Sequence, residues 1–471
     1  MANAFDLIII GGGPAGYTAA IRATQLGLRV ACIEKREALG GTCLNVGCIP
    51  SKALLDSSEH YYHAQTKMKK HGVNFENLRL DLAQMMKRKE DVVRTLTMGI
   101  ASLFKSKRVE RYFGKGKILG REGTTYNVEV TLQNGERSKI SSKFLLLATG
   151  SEAIELPILK FDQKRILSST EALSLSEVPS HLAVVGGGYI GLEMASVWRR
   201  LGAKVTVVEF MDSLLPMIDQ QLARELHKSL VKQGIEFMLS TKCLGADAIK
   251  DGLKLRLEKK GGPTSELPCT HALVSTGRRP YTDGLGLETI NIELDKGGRV
   301  VIDDSFKTSA PNVYAVGDIV SGPMLAHKAE EEGLAAVAIM AGGQAHVNYL
   351  TIPSVIYTWP ELASVGLTEE ELKDRAISYK SGTFPFLANG RARAMDETEG
   401  LVKVLSHSKT QKVLGVHIFG PRASDMVAEA VTLMEFGGTA AELAACCHGH
   451  PTLSEALKEA AMAVDGRQIH M

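Results

Sequence analysis

Cys43 and Cys48, in Cys43-Leu44-Asn45-Val46-Gly47-Cys48, are the residues with the clearest chemical reach. The spacing is too wide for a thioredoxin-type pair, and a structural zinc site would want further ligands nearby. It suits a small loop closed by two thiols, with Gly47 permitting a tight or left-handed backbone. Two readings are open at this point: a redox-active pair, or two buried thiols that happen to be neighbours. If a helix begins over 48–50, its free amides stabilise a thiolate at Cys48. Pro50 is tolerated in such a first turn, and Lys52 adds positive charge close by.

A second cluster is Cys446-Cys447-His448-Gly449-His450-Pro451-Thr452-Leu453-Ser454-Glu455. Its cysteines and histidines invite a zinc reading, but adjacent side chains splay apart and no second ligand group stands at finger spacing. His450 instead suits acid–base work, with Glu455 fixing its tautomer and raising its basicity. A capping box between Thr452 and Glu455 competes for the same carboxylate. One carboxylate could hardly do both jobs fully, and the sequence leaves the choice open. Cys32, Cys243 and Cys269 stand alone and read as small hydrophobes or inert thiols.

The elements that must position these groups begin with an apolar strand over 5–10. It runs into Gly11-x-Gly13-x-x-Gly16, then a helix over 15–26 and a strand over 29–34. Small residues let the backbone approach a pyrophosphate, and the helix start supplies donors and positive potential. Glu34, 18 residues beyond Gly16, is placed to accept hydrogen bonds from ribose hydroxyls. The unit repeats at Gly186-x-Gly188-x-x-Gly191, with Ala195 as a further small residue and Glu209 again 18 residues on. An acid there repels a ribose 2′-phosphate, so the second site reads as NAD(H) over NADP(H). Arg199 and Arg200, in the intervening helix, read as a solvated face. A dinucleotide fold of FAD type just before the cysteines favours the redox reading of that pair.

Elsewhere, 56–107 is helical in composition, and 125–132 alternates before a hairpin signal at Asn134-Gly135. A strand over 144–147 enters Ala148-Thr149-Gly150. Residues 281–350 connect through a glycine-rich helix. From 351 the texture shifts to strands (363–366, 401–405, 413–419) and helices (424–436, 453–462), an α+β domain for association or catalysis.

Net charge is +2, which gives no case for nucleic acid or a membrane surface. Seven cysteines in 471 residues are too few for a secreted disulfide scaffold. No run approaches the roughly 20 apolar residues of a spanning helix, and the start reads as a strand and phosphate loop, not a signal peptide. That start also suits an organelle protein that has lost its transit peptide.

Together these motifs closely resemble the dihydrolipoamide dehydrogenase family, of the class I pyridine nucleotide–disulfide oxidoreductases. The resemblance is carried by Gly40-Gly41-Thr42 through Ser51-Lys52, the 186–193 loop and Thr276-Gly277-Arg278-Arg279-Pro280. It continues in Ala315-Val316-Gly317-Asp318, in Met324-Leu325-Ala326-His327-Lys328-Ala329-Glu330 and in 448–455, so it spans essentially the whole chain. Departures are small: Thr276 stands where an aliphatic is common, and Ala15 replaces a frequent glycine.

The resemblance implies an α/β fold of two Rossmann-like three-layer dinucleotide-binding domains plus a C-terminal α+β dimerisation domain. The expected division is 1–150 for FAD, 151–280 for NAD, 281–350 completing the FAD part, and 351–471 for the homodimer interface. Cys48 is expected against the flavin in a charge-transfer contact, and Cys43 is expected to exchange with substrate. Lys52 is expected near flavin N5 and Asp318 on the ribityl chain, with Gly150, Ala326 and Gly277 among the cofactor-binding residues. His450, backed by Glu455, is expected to reach the active site across the dimer.

The implied reaction oxidises dihydrolipoyl groups and reduces NAD⁺. The implied partners are lipoyl domains of 2-oxoacid dehydrogenase complexes or the glycine-cleavage H protein, in bacterial cytoplasm or an organelle matrix. The rival enzyme is a glutathione-reductase-like disulfide reductase, which Glu209 disfavours because NADP(H) calls for cations there. Mercuric reductase is disfavoured by the ending Gln468-Ile469-His470-Met471, which lacks paired thiols. A binding-only subunit of such a complex has no use for both cysteines and His450.

Overall fold

The unbroken apolar run Leu7-Ile8-Ile9-Ile10 lies in a parallel sheet with both faces covered, as such runs require. The computed structural model describes residues 4–471. They form two compact units, one from residues 4–53, 83–154 and 277–347 and the other from 54–82, 155–276 and 348–471.

In the first unit the parallel strands follow the order 110–113, Val30–Glu34, Ala4–Ile10, Arg137–Leu147, Val313–Ala315. The edge strand Val313–Ala315 therefore comes from the 281–350 segment. Strand Glu110–Glu122 continues out of this sheet into an antiparallel meander with Thr125–Leu132 and the start of Arg137–Leu147. The turn at Asn134-Gly135 joins the last two, with Gly135 at φ 84°. Ile8, Ile10, Ile33, Val128, Leu145 and Val313 share one buried cluster. Each such side chain contributes about 1.5–3 kcal/mol when withdrawn from water.

The second unit holds the same design again. Parallel strands run in the order Ile235–Met238, Lys204–Val208, His181–Val185, His271–Val274, Ile166–Leu167. A meander of Thr241–Ile249, Gly252–Lys259 and Thr264–Cys269 accompanies them. The repeat is thus deeper than the glycine motifs disclosed. The C-terminal part of this unit is an antiparallel sheet ordered Ser354–Ile356, Glu361–Gly366, Val413–Gly420, Leu401–His407, Tyr379–Pro385. Helices Ala423–Glu435 and Glu455–Ala463 share its apolar core through Val427, Ala430, Leu457 and Ala460.

Two expectations need correction. The helical stretch 56–107 is divided: helix Cys48–Thr66 and the turn Met68–His71 end at Gly72, whose φ of 79° breaks the spiral. Helix resumes only at Leu82–Lys107. Arg199 and Arg200 are also no solvated face. Arg200 is 4% exposed and donates from Nη1 to the Leu55 carbonyl at 3.3 Å. Burial lowers its guanidinium to about 10 against the opposing charges of Glu59, Tyr62 and Asp56. Arg199 donates from Nε to the Gln233 carbonyl at 2.9 Å, tying its helix to the next one.

Candidate active site

Cys43 sits in the short helix Gly41–Val46, and Cys48 opens the long helix Cys48–Thr66. Between them Gly47 has φ −142° and ψ −115°. Of the tight or left-handed backbone anticipated, the left-handed alternative is therefore not the one adopted. Glycine is needed there because a Cβ would lie 2.8 Å from the Thr42 carbonyl oxygen. The break turns the chain so that the two thiols meet in a hydrogen bond. That bond pushes the Cys43 thiol far above its ordinary value, helped by burial and by the charges of Cys48 and Glu330, with Lys52 opposing. Cys48, at the helix start, is where exposed backbone amides would stabilise a thiolate.

Sequence reading missed two neighbours of this pair. Tyr17, on helix Pro14–Gln25, donates its hydroxyl to the Glu330 carboxylate at 2.8 Å. Burial raises the Tyr17 phenol above its usual range, as do the bond to Glu330 and the Cys43 charge. Nothing in the spacing of Tyr17 or Glu330 marks them, because they converge from helices more than 300 residues apart in the chain.

The first glycine loop is fastened by Glu34. Its Oε2 accepts from the Gly12 N–H at 2.8 Å and its Oε1 from the Arg36 N–H at 2.8 Å. Glu209 repeats this, accepting from the Gly187 N–H at 2.6 Å and the Met211 N–H at 2.7 Å. Each acid thus anchors its own loop, and the second lone pair of each oxygen remains for a ribose hydroxyl. Gly16 and Gly191 are fixed by close approach: a Cβ at either would meet the carbonyl oxygen of Gly11 or Gly186 at 1.8 or 2.3 Å. A Cβ at Gly188 would meet nothing within 4 Å, and one at Gly13 only the Gly41 Cα at 3.7 Å. The middle glycine of each motif therefore faces room, where a pyrophosphate would approach. Neither helix start carries a side-chain cap. The two loops fit dinucleotides.

Asp318 accepts from the Ser151 hydroxyl, which in turn accepts from Arg278 Nε at 2.8 Å. Gly150, at φ 73°, and the strand Ser151–Ala153 follow directly, and Arg278–Pro280 pairs with that strand just after Gly277. Beneath this loop lies a charge pair hidden from sequence reading. Lys328 and Glu332, wholly buried on helix Ala326–Met340, meet at 3.1 Å. Glu332 accepts from the Gly317 N–H at 2.7 Å, while Lys328 donates to the carbonyls of Gly317 and Ser321 at 3.1 and 3.0 Å. The pair clamps both ends of the turn that presents Asp318. A Lys–Glu pair four residues apart, Lys328 and Glu332, was the available signal. Lys328→Met is expected to cost about 3–5 kcal/mol, since it strands a buried carboxylate. The double change Lys328→Met with Glu332→Leu should recover most of that. Denaturant unfolding of both variants checks it, and a single variant as stable as wild type would refute the clamp.

His450 and Glu455 meet as Nδ1 to Oε1 at 2.8 Å, and the His450–Pro451 peptide is cis. The other oxygen, Oε2, accepts from the Thr452 N–H at 2.8 Å. One carboxylate therefore serves both jobs that sequence reading set against each other. The capping box is only half made, because the Thr452 hydroxyl donates to the Gly449 carbonyl and the helix begins at Glu455. Burial opposes ionisation of Glu455, yet the bonds from Thr452 and His450 outweigh it and hold the carboxyl below its ordinary range. The imidazole is 77% exposed, so Nε2 is presented outward for proton transfer. Cys446 and Cys447 are exposed, whereas Cys32, Cys243 and Cys269 are buried. Among the described residues no group of three or more His, Cys, Asp or Glu is placed to hold a metal ion.

Two dinucleotide folds and a cysteine pair on the first define a flavin- and nicotinamide-linked disulfide oxidoreductase. The family profile of pyridine nucleotide-disulphide oxidoreductases matches residues 5–333, and the profile of that family's dimerisation domain matches 352–461. The chain belongs to this family. Among its relatives, the mitochondrial dihydrolipoyl dehydrogenase 2 of Arabidopsis thaliana is 50% identical over 467 residues, covering 99% of this chain and 91% of its own. A dihydrolipoamide dehydrogenase of Chaetomium thermophilum is 51% identical over 468 residues, covering 99% and 92%. The crystal structure of LpdA from Mycobacterium tuberculosis superposes with a TM-score of 0.90 at 28% identity, covering 97% of this chain and 99% of its own. The chain is a homodimer-forming one, with its association domain in the C-terminal segment.

Proposed function

We propose that this chain is a dihydrolipoyl dehydrogenase, oxidising protein-bound dihydrolipoyl groups to the cyclic disulfide while NAD⁺ becomes NADH. The observation that carries the reading is the hydrogen-bonded Cys43 and Cys48 pair beside an FAD-type glycine loop. Full-length relatives at about half identity bear those enzyme names. FAD, when bound, supplies the exchange of an electron pair between the cysteine pair and nicotinamide.

The partner subunit's His450 takes a proton at Nε2 from the substrate dithiol, with Glu455 holding the ring in the right tautomer. The substrate thiolate attacks Cys43 Sγ, breaking the Cys43–Cys48 bond and leaving Cys48 as thiolate. The second substrate sulfur attacks the first and the cyclic disulfide leaves. His450 gives its proton to the expelled Cys43 sulfur and takes up the proton of the second thiol, so the cycle leaves Cys43 as thiol, Cys48 as thiolate and one proton on His450. The high proton affinity of Cys43 suits it to that last step. Lys52 holds positive charge on the redox helix near the flavin ring. Gly11, Gly13, Gly16, Glu34, Gly150, Asp318 and Ala326 bind FAD. Gly186, Gly188, Gly191, Glu209 and Gly277 bind NAD(H).

The partners are lipoyl domains of 2-oxoacid dehydrogenase complexes or the glycine-cleavage H protein. The compartment is the one that houses such complexes, bacterial cytoplasm or organelle matrix. Among the described residues no helix is long and apolar enough to cross a membrane. Turnover of dihydrolipoamide with NAD⁺, set beside glutathione disulfide with NADPH, tests the reading. The first reaction should dominate, and faster glutathione reduction would overturn it. Glu209→Ala should raise use of NADP⁺ relative to NAD⁺ by about tenfold, ~1.4 kcal/mol. Unchanged discrimination would count against the ribose role and leave Glu209 only its loop anchor.

A further inference from the structure

We propose that Cys446 and Cys447 form a second thiol site, which captures a trivalent organoarsenical between two sulfurs. Both cysteines are exposed and line one cleft of about 360 Å³. The turn that carries them is held from three directions. Helix Ala440–Ala445 ends at Cys446 with extended backbone, φ −62° and ψ 137°. The Cys446 carbonyl accepts from His448 Nδ1 at 3.1 Å and from Lys458 Nζ at 2.8 Å. His448, its side chain only 7% exposed, is held through Nε2 by Glu429 at 2.7 Å. The backbone that carries the two cysteines is thus held in place, which lowers the ordering cost of binding through both.

The number of donors selects the ligand. No three-ligand group for a metal ion exists here among the described residues. A trivalent arsenical needs only two protein sulfurs, because carbon fills its third position. In the reaction of an arsine oxide, two As–S bonds form and the As=O bond breaks. Its oxygen leaves as water with both thiol protons, so nothing is oxidised or reduced. The occupied cleft, which Gly449 and Thr452 also line, then flanks the segment bearing His450.

The test uses the FAD-loaded dimer carrying Cys43→Ala and Cys48→Ala, so that the redox pair cannot compete. Phenylarsine oxide is added, excess is removed by gel filtration, and retained arsenic is measured. The expected result is about one arsenic per chain, with affinity lowered on the order of a hundredfold when Cys446→Ser or Cys447→Ser is added, because two-point attachment is lost. No retained arsenic, or retention indifferent to both serines, would overturn the proposal. Should the serine variants fold poorly, peptide mapping decides on the chain with Cys446 and Cys447 intact. Arsenic must lie across those two residues, and arsenic on any other thiol refutes the site.

Discussion

Cys43→Ser is expected to reduce dihydrolipoamide turnover on the order of a thousandfold or more, while FAD stays bound. Serine cannot form the disulfide that the substrate thiolate attacks, so no route remains for the sulfur exchange. The fold should tolerate the change. Cys43 lies half-buried in a six-residue helix, and serine differs from it by one atom. The glycine loop, Glu34 and the Asp318 turn that suit FAD do not depend on that sulfur. NADH oxidation by an artificial acceptor should therefore persist in the variant, which separates loss of exchange chemistry from loss of cofactor. Normal lipoamide turnover in Cys43→Ser would remove the cysteine pair from the mechanism.

The second large effect belongs to His450. His450→Gln should lower dihydrolipoamide oxidation by about 10²–10⁴-fold, the usual contribution of a positioned acid–base group. Reduction of the Cys43–Cys48 pair by NADH should be nearly unchanged, because that half-reaction needs no proton from the substrate dithiol. Glutamine keeps a side-chain amide able to donate to Glu455, and the Thr452 N–H still reaches the other oxygen. The local turn should therefore survive, and the loss should be chemical. Full forward activity would refute the base assignment, and equal loss in both half-reactions would point to structural damage.

Much of this was legible in the sequence because the relevant physics is local. Gly11, Gly13 and Gly16 are consecutive parts of one strand–turn–helix, and the apolar strand before them announces its own burial. Asn134-Gly135 marked a hairpin for the same reason. What escaped reading depends on pairing across long separations. Tyr17 and Glu330 meet only because helices Pro14–Gln25 and Ala326–Met340 lie together in the first unit. Arg200 looked like a surface charge from its neighbours, but the elements that bury it lie far off in the chain. Glu455 was set between two roles because sequence counts residues, whereas a carboxylate has two oxygens with different directions. At Gly47 a tight or a left-handed backbone had both been open, and proximity to the Thr42 carbonyl, not a positive φ, is what demands glycine.

The central claim is that Cys43 and Cys48 exchange electrons with bound flavin on the path between dithiol and NAD⁺. Anaerobic titration of the oxidised, FAD-loaded dimer with dihydrolipoamide tests it most directly. The wild type should take up at least about one equivalent per bound FAD, its electron pair shared between the cysteine pair and the flavin. A Cys43→Ser, Cys48→Ser variant should take up no dithiol at all while NADH still delivers about one equivalent to its flavin. No uptake of dithiol by the wild type, or unimpaired uptake of dithiol by the variant, would contradict the account.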